Sequence, residues 1–272
     1  MKHKISGKSG VKRDSKAVSP AISAVIIAAA TLVLVLVAGN YAYQVLERQR
    51  GASEFDAVKR SFMAFDDAVR DVSFDKLGIR SARFTVNYGI IEVTPADESR
   101  GLPLSVTINE YSGASYNGYT GYVRYNISIN YVNLGAGYKA YLFGDNKTII
   151  SEASKSSGAA LIKQHYKWVS LTLYYRVKLL GTRVVPLEGY VVNYVDIFII
   201  QLTAAKWTAL LGDFDLAARN MDIITQTYGP YDAVDHCHVS ANIGELSDTI
   251  SVDLQPGKVV FNFIIAEVRV SG

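Results

Sequence analysis

Hydrophobic and polar positions divide the chain into three textures. From Val18 to Gly39 there are 22 consecutive residues without a charge, which as a helix would span about 33 Å, enough to cross a hydrocarbon layer. The next stretch, "YQVLERQRGASEFDAVKRSFMAFDDAVRDVSF", places Phe55, Val58, Phe62, Phe65, Val69 and Val72 at alternating steps of three and four, the signature of a helix with one apolar seam. Beyond Asp75 the period becomes two. The runs at 82–95, 104–111, 121–133, 167–180, 189–202 and 258–272 are rich in Val, Ile, Thr and aromatics and are separated by Gly, Ser, Asn and Pro clusters, which predicts strands.

The seam is too short for a self-associating coiled coil, so it is expected to pack on the chain's own β-rich region. Gly51 leaves two arrangements open, a single helix from Val18 to Phe74 or two helices broken at the glycine. Asn117-Gly118, between Tyr-rich stretches, predicts a type I′ hairpin turn. The segment 203–228 is ambiguous, with a short helix expected around 204–211, and "SEASKSSGAA" (151–160) reads as a surface loop. Many short strands imply a mainly antiparallel sandwich or barrel.

Charge sharpens the picture of the N-terminus. Residues 1–17 hold six of the 28 Lys/Arg and one acid, Asp14; the remainder carries 22 basic against 24 acidic side chains. A near-neutral body with scattered basic residues has no nucleic-acid footprint. The basic cluster directly before the apolar run predicts a cytoplasmic N-terminus with the body outside. A buried core helix fits the length and flanks less well. An ordinary cleaved signal is the other rival, with a small-residue site at Val37-Ala38-Gly39, although the run exceeds the usual apolar region of such signals. The single Cys237 forms no intrachain disulfide and leaves the redox compartment open.

The stretch Lys16-Ala17-Val18-Ser19-Pro20-Ala21-Ile22, a basic residue, a small one, then an apolar start to a long hydrophobic helix, resembles the N-terminus of archaeal type IV pilin-like proteins. The resemblance covers residues 12–45 and implies cleavage by a prepilin-type peptidase between Ala17 and Val18, leaving the apolar helix at the start of the mature chain. It further implies that Ile22, Val25, Ile26, Leu32 and Leu36 pack against helices of other subunits. Ile22 stands where the bacterial branch carries an acid, which favours the archaeal branch. Pro20 in the first helical turn also serves simply as a helix starter.

The residues that carry chemistry give little. Gly113 and Gly118 have phosphate-loop spacing, but Tyr119-Thr120 replace the Lys and Ser/Thr such a loop needs. In Asp235-His236-Cys237-His238, a strand would send the histidines to one face and Asp235 and Cys237 to the other, so the four do not converge on a metal. Asp66-Asp67 and Asp213/Asp215 read as solvated acids, and His165 has no partner in a recognisable nucleophile motif. Asn126-Ile127-Ser128 and Asn146-Lys147-Thr148 are N-glycosylation sequons, the second in a turn-like context and the better acceptor. Tyr outnumbers Phe by 18 to 10, which suits half-exposed sheet surfaces.

The expected protein is α+β: a basic leader (1–17), a transmembrane and assembly helix (18–45), an amphipathic helical stalk (46–74) and a mainly antiparallel β-sandwich-like extracellular head (75–272). The expected function is structural, a single-pass, outward-facing pilin-like subunit of a surface filament with an adhesive role, without cofactor, metal or catalytic residues. Its partners would be the membrane, the peptidase and other pilin-like subunits. A surface-anchored β-sandwich binding protein that never polymerises and an exported enzyme remain the alternatives.

Overall fold

The computed structural model describes residues 20–152 and 155–272. The chain divides into two compact units, one ending at Glu47 and one running Arg48–Gly272, and the boundary falls within a single helix, α1 (Pro20–Ser73). In the first unit, residues 22–45 are exposed throughout, and the helix is apolar and long enough to cross a membrane.

In the second unit the α1 seam is fully used: Phe55, Val58, Phe62, Phe65, Val69 and Val72 are all buried. Gly51 does not interrupt the helix. It lies against Tyr131, whose Cβ would stand 2.6 Å from any Cβ added there, so the glycine serves a close approach. The helix ends where Asn220, from a distant strand, caps it by donating through Nδ2 to the carbonyls of Val72 (2.8 Å) and Ser73 (3.3 Å). Leu77 then takes a positive φ of 69°.

Among the described residues fourteen strands follow. In chain order they are β1 (Ile79–Thr94), β2 (Leu102–Ile108), β3 (Ser115–Thr120), β4 (Tyr122–Ser128), β5 (Lys139–Phe143), β6 (Ile149–Ile150) and β7 (Gly158–Gln164). Then come β8 (Trp168–Tyr175), β9 (Val177–Leu187), β10 (Tyr190–Thr203), β11 (Thr208–Asp232), β12 (His236–Ile243), β13 (Leu246–Asp253) and β14 (Lys258–Ser271). Ten of them form a large sheet in the order β5-β7-β8-β4-β1-β11-β14-β10-β9-β6, and four a smaller one in the order β13-β12-β2-β3. Pairing is antiparallel except for β10 with β14 and β6 with β9. The architecture is therefore α+β with a predominantly antiparallel, two-sheet body.

Side-chain parity sorts this unit into three layers. Phe198, Ile200 and Leu202 of β10 join the α1 seam, while Ile197 and Ile199 turn to the other face. There they meet Leu104, Val106, Val239 and Ala241 of the small sheet. Helix, large sheet and small sheet thus enclose two cores. On the helix side aromatic rings interlock, Phe62 edge-on to Phe84 at 5.6 Å and Phe84 stacked on Phe214 at 5.8 Å.

The structure corrects three expectations of local structure. Within the expected surface loop 151–160, residues 158–160 open strand β7 and are buried, because pairing with β8 carries them into the sheet. Residues 208–232 are the long strand β11, not a helix near 204–211: Leu210, Phe214, Leu216 and Ala218 alternate with exposed positions, and period two outweighs the helix propensity of the Ala- and Leu-rich composition. Asn117-Gly118 is not a turn but lies inside β3, opposite Ser105 and Leu104. The β2–β3 reversal occurs at 109–114, closed by Tyr111 N–H to Ile108 O (3.0 Å) and Ala114 N–H to Tyr111 O (2.8 Å).

Candidate functional site

The apolar helix residues Ile22, Val25, Ile26, Leu32 and Leu36 are each more than half exposed, from 54% at Ile22 to 67% at Val25. A contiguous apolar surface of this kind marks a lipid or protein contact. The cleavage residues Lys16, Ala17 and Val18 lie outside the described residues. Of the two sequons, Asn146 is exposed in the loop after β5, although the Thr148 hydroxyl is buried and donates to Ala241 O at 2.7 Å. Asn126 is half-buried in the middle of β4.

Strand β12 sends His236 and His238 outward and Cys237 inward, where burial pushes the thiol up to about 12. The two imidazoles pair separately, His236 Nδ1 with Asp253 at 2.7 Å and His238 Nδ1 with Glu110 at 2.6 Å. Among the described residues no group of three His, Cys, Asp or Glu side chains converges.

Asp66 departs from the expectation of a solvated acid. It is buried at 5% exposure and accepts from Ser156 Oγ at 2.9 Å, with the buried Tyr175 hydroxyl interacting with the same carboxyl. Burial raises its carboxyl above the usual range, against the opposing pull of Ser156. Next to it the buried Arg176 pairs with Asp145 at 2.5 Å and donates to the carbonyls of Ser156 (2.9 Å) and Gly158 (3.1 Å), which organises the loop that leads into β7. Asp213 and Asp215 are exposed, as expected, and accept from Thr85 and Arg83.

A second buried carboxylate, Glu54 on α1, had no local sign in the sequence. It accepts from the backbone N–H groups of Asn87 (2.6 Å), Tyr88 (3.0 Å) and Gly89 (3.1 Å) and from the Tyr125 hydroxyl (2.7 Å). These amides belong to a bulge in β1, where the register shifts between Val86 and Ile91. The bulge restores inward parity, so that Phe84, Val86, Ile91 and Val93 all face the helix. Gly89 is required there, because a Cβ would come within 2.3 Å of the Tyr125 ring.

A concavity opens where β4, β8, β7 and β5 emerge beyond the edge of the small sheet. One lobe of about 350 Å³ lies between these strands and the β12–β13 turn, and an adjoining lobe of about 430 Å³ shares Arg124, His165 and Ser170 with it. Strand pairing assembles its cations: Lys139 is directly opposite Lys163, Lys163 opposite Ser170, and Arg124 opposite Thr172. Arg124 lies over the Tyr122 ring at 4.6 Å and its Nε donates to Thr172 Oγ1 at 3.2 Å. His165 Nε2 is 3.1 Å from Ser170 Oγ, and Ser170 donates its one proton to Lys163 O at 3.2 Å, so the imidazole is the donor and no nucleophilic serine results. Desolvation first, and then the charges of Lys163 and Arg124, hold the His165 pKa below its usual value. The second lobe adds Asn126 and the half-exposed Trp168. His165 was considered from the sequence only as a catalytic residue; its cationic neighbours lie on three different strands, and only the polar alternation of "YVRYNIS" and "LIKQH" hinted at a common face.

No protein-family profile, characterised protein or solved structure matches the chain.

Proposed function

We propose that the chain is a pilin-like structural subunit of a cell-surface filament, anchored in the membrane before assembly, with its N-terminus in the cytoplasm and its β-rich head outside. The observation that carries this reading is the uncovered apolar run of α1, residues 22–45, directly preceded in sequence by Lys16-Ala17-Val18 and a leader with six basic residues. A helix of this composition is stable in lipid or in a bundle of like helices, since each large apolar side chain gains about 1.5–3 kcal/mol by leaving water. Cleavage after Ala17 would place this helix at the mature N-terminus and allow the exchange of lipid for neighbouring subunits.

Replacement of Ala17 by a bulky residue tests the reading. The variant should insert normally but remain unprocessed and cell-bound, whereas wild type should be recovered in filaments sheared from cells. Equal processing and equal release of both would overturn it. An alternative, a surface-anchored binding protein that does not polymerise, is favoured by one observation, the cation-lined cleft of the head. Under either reading Asn146 is the better glycosylation acceptor, because Asn126 sits within a central strand.

A further inference from the structure

We infer that the cleft beside the small sheet is a binding site for a carboxylated saccharide, with a sugar ring on Trp168 and its carboxylate held by Arg124, Lys163 and His165. The inference does not rest on filament assembly.

The arrangement of charge is the first argument. Lys139 and Lys163 are direct cross-strand partners, and like charges so placed repel one another. Among the described residues, neither lysine nor Arg124 forms an ion pair. An anion in the cleft would relieve that repulsion. Arg124 is also held ready, fixed by the Tyr122 ring and by Thr172, so little freedom is lost when it grips a carboxylate.

The second argument is the kind of surface around the cations. Trp168 offers a half-exposed indole to the lining of the adjoining lobe, and Asn126 and Thr172 supply amide and hydroxyl groups. A flat aromatic face combined with short polar groups matches the apolar face and the hydroxyls of a sugar ring. The 350 Å³ lobe falls in the range of small-molecule sites.

Single-stranded nucleic acid also combines anions with stacking rings, but the surroundings oppose it. Glu245 stands on the facing wall and Glu92 in the second lobe, and outside the leader acids outnumber bases by 24 to 22. Glu92 is the cross-strand partner of Arg124; both acids can accept from the hydroxyls of a saccharide that carries a single carboxylate, whereas a backbone with an anion on every unit would meet them in repulsion.

The test uses the full chain in detergent micelles, titrated calorimetrically with methyl galacturonoside, which carries a single carboxylate, with its methyl ester, and with a single-stranded oligonucleotide. The free acid should bind saturably and the ester about tenfold or more weaker, the loss expected for a charge-assisted hydrogen bond. The double variant Arg124→Gln/Lys163→Gln should lower affinity for the acid to the level of the ester. Trp168→Ala should weaken both, and Lys206→Gln, remote from the cleft, should change nothing. Circular dichroism confirms that each variant is folded, and Lys139→Gln, at an exposed edge position, provides a milder charge deletion. Equal binding of acid and ester, tighter binding of the oligonucleotide, absence of saturable binding at millimolar galacturonoside, or folded charge variants that bind as wild type would each overturn the assignment. The measurement is made on unassembled chains, so such a failure would leave the filament reading standing.

Discussion

Replacing Glu54 by Gln removes one of the two carboxylate oxygens that tie α1 to the β1 bulge. Oε2 serves Asn87 N–H (2.6 Å) and Tyr88 N–H (3.0 Å), while Oε1 serves Gly89 N–H (3.1 Å) and the Tyr125 hydroxyl (2.7 Å). The least damaging placement of the amide keeps its oxygen at the Oε1 site, where Tyr88 N–H also lies within 3.1 Å. The amide nitrogen then faces Asn87 N–H, donor against donor. One orphaned donor at this half-buried position costs about 1–3 kcal/mol, and the surviving bonds lose their charge assistance, so the total should be about 2–4 kcal/mol. Glu54→Ala orphans every donor and should cost more. Tyr125→Phe removes one bond and leaves the three amides satisfied, so it should cost the least. Thermal unfolding of the second unit within the full chain in detergent should register a drop of about 5–15 °C for Glu54→Gln. A change below about 1 °C, or Tyr125→Phe proving more damaging than Glu54→Ala, would refute the clamp.

Gly51→Ala should destabilise, although Ala is worth about 1 kcal/mol more than Gly in a helix interior, because the new Cβ meets the Tyr131 Cβ at 2.6 Å; in a Tyr131→Gly background, which removes that Cβ, the same Gly51→Ala change should instead stabilise in the same unfolding assay. Asp66 binds its proton more tightly in the folded state than in the unfolded one. Its contribution therefore declines as pH rises from the ordinary carboxyl value of 3.8 through the raised folded value, and the penalty is complete above that; the stability of wild type relative to Asp66→Asn should fall across this window, and a constant or rising difference would contradict the burial argument. Protease added to intact cells should cut within the β-rich head, and a head protected until the cells are lysed would contradict the outward orientation.

The parts of this structure that rest on local periodicity were legible in the sequence. The three-four spacing from Phe55 to Val72 marks the buried face of α1, and the alternating runs mark a β-rich body. Residues whose role depends on distant partners were not legible. Asp66 looks like half of a solvated acidic pair until Ser156 and Tyr175 close over it. Glu54 gains its meaning only from a bulge 33 residues further on. Gly51 reads as a helix breaker because the Tyr131 side chain that needs the space, its Cβ first, is 80 positions away. Asn117-Gly118 has the chemistry of a tight turn, yet pairing with β2 holds it extended. The cleft combines residues of β4, β5, β7 and β8, so it exists only once the strand order is known.

The central claim is that the apolar helix begins the mature protein. Mass spectrometry of the N-terminal peptide from native membranes and from sheared surface material measures this directly. The account predicts a peptide that starts at Val18 in both fractions, with the leader absent. A native chain that starts at Met1, or one that starts at Asn40 after loss of the apolar run, would contradict it.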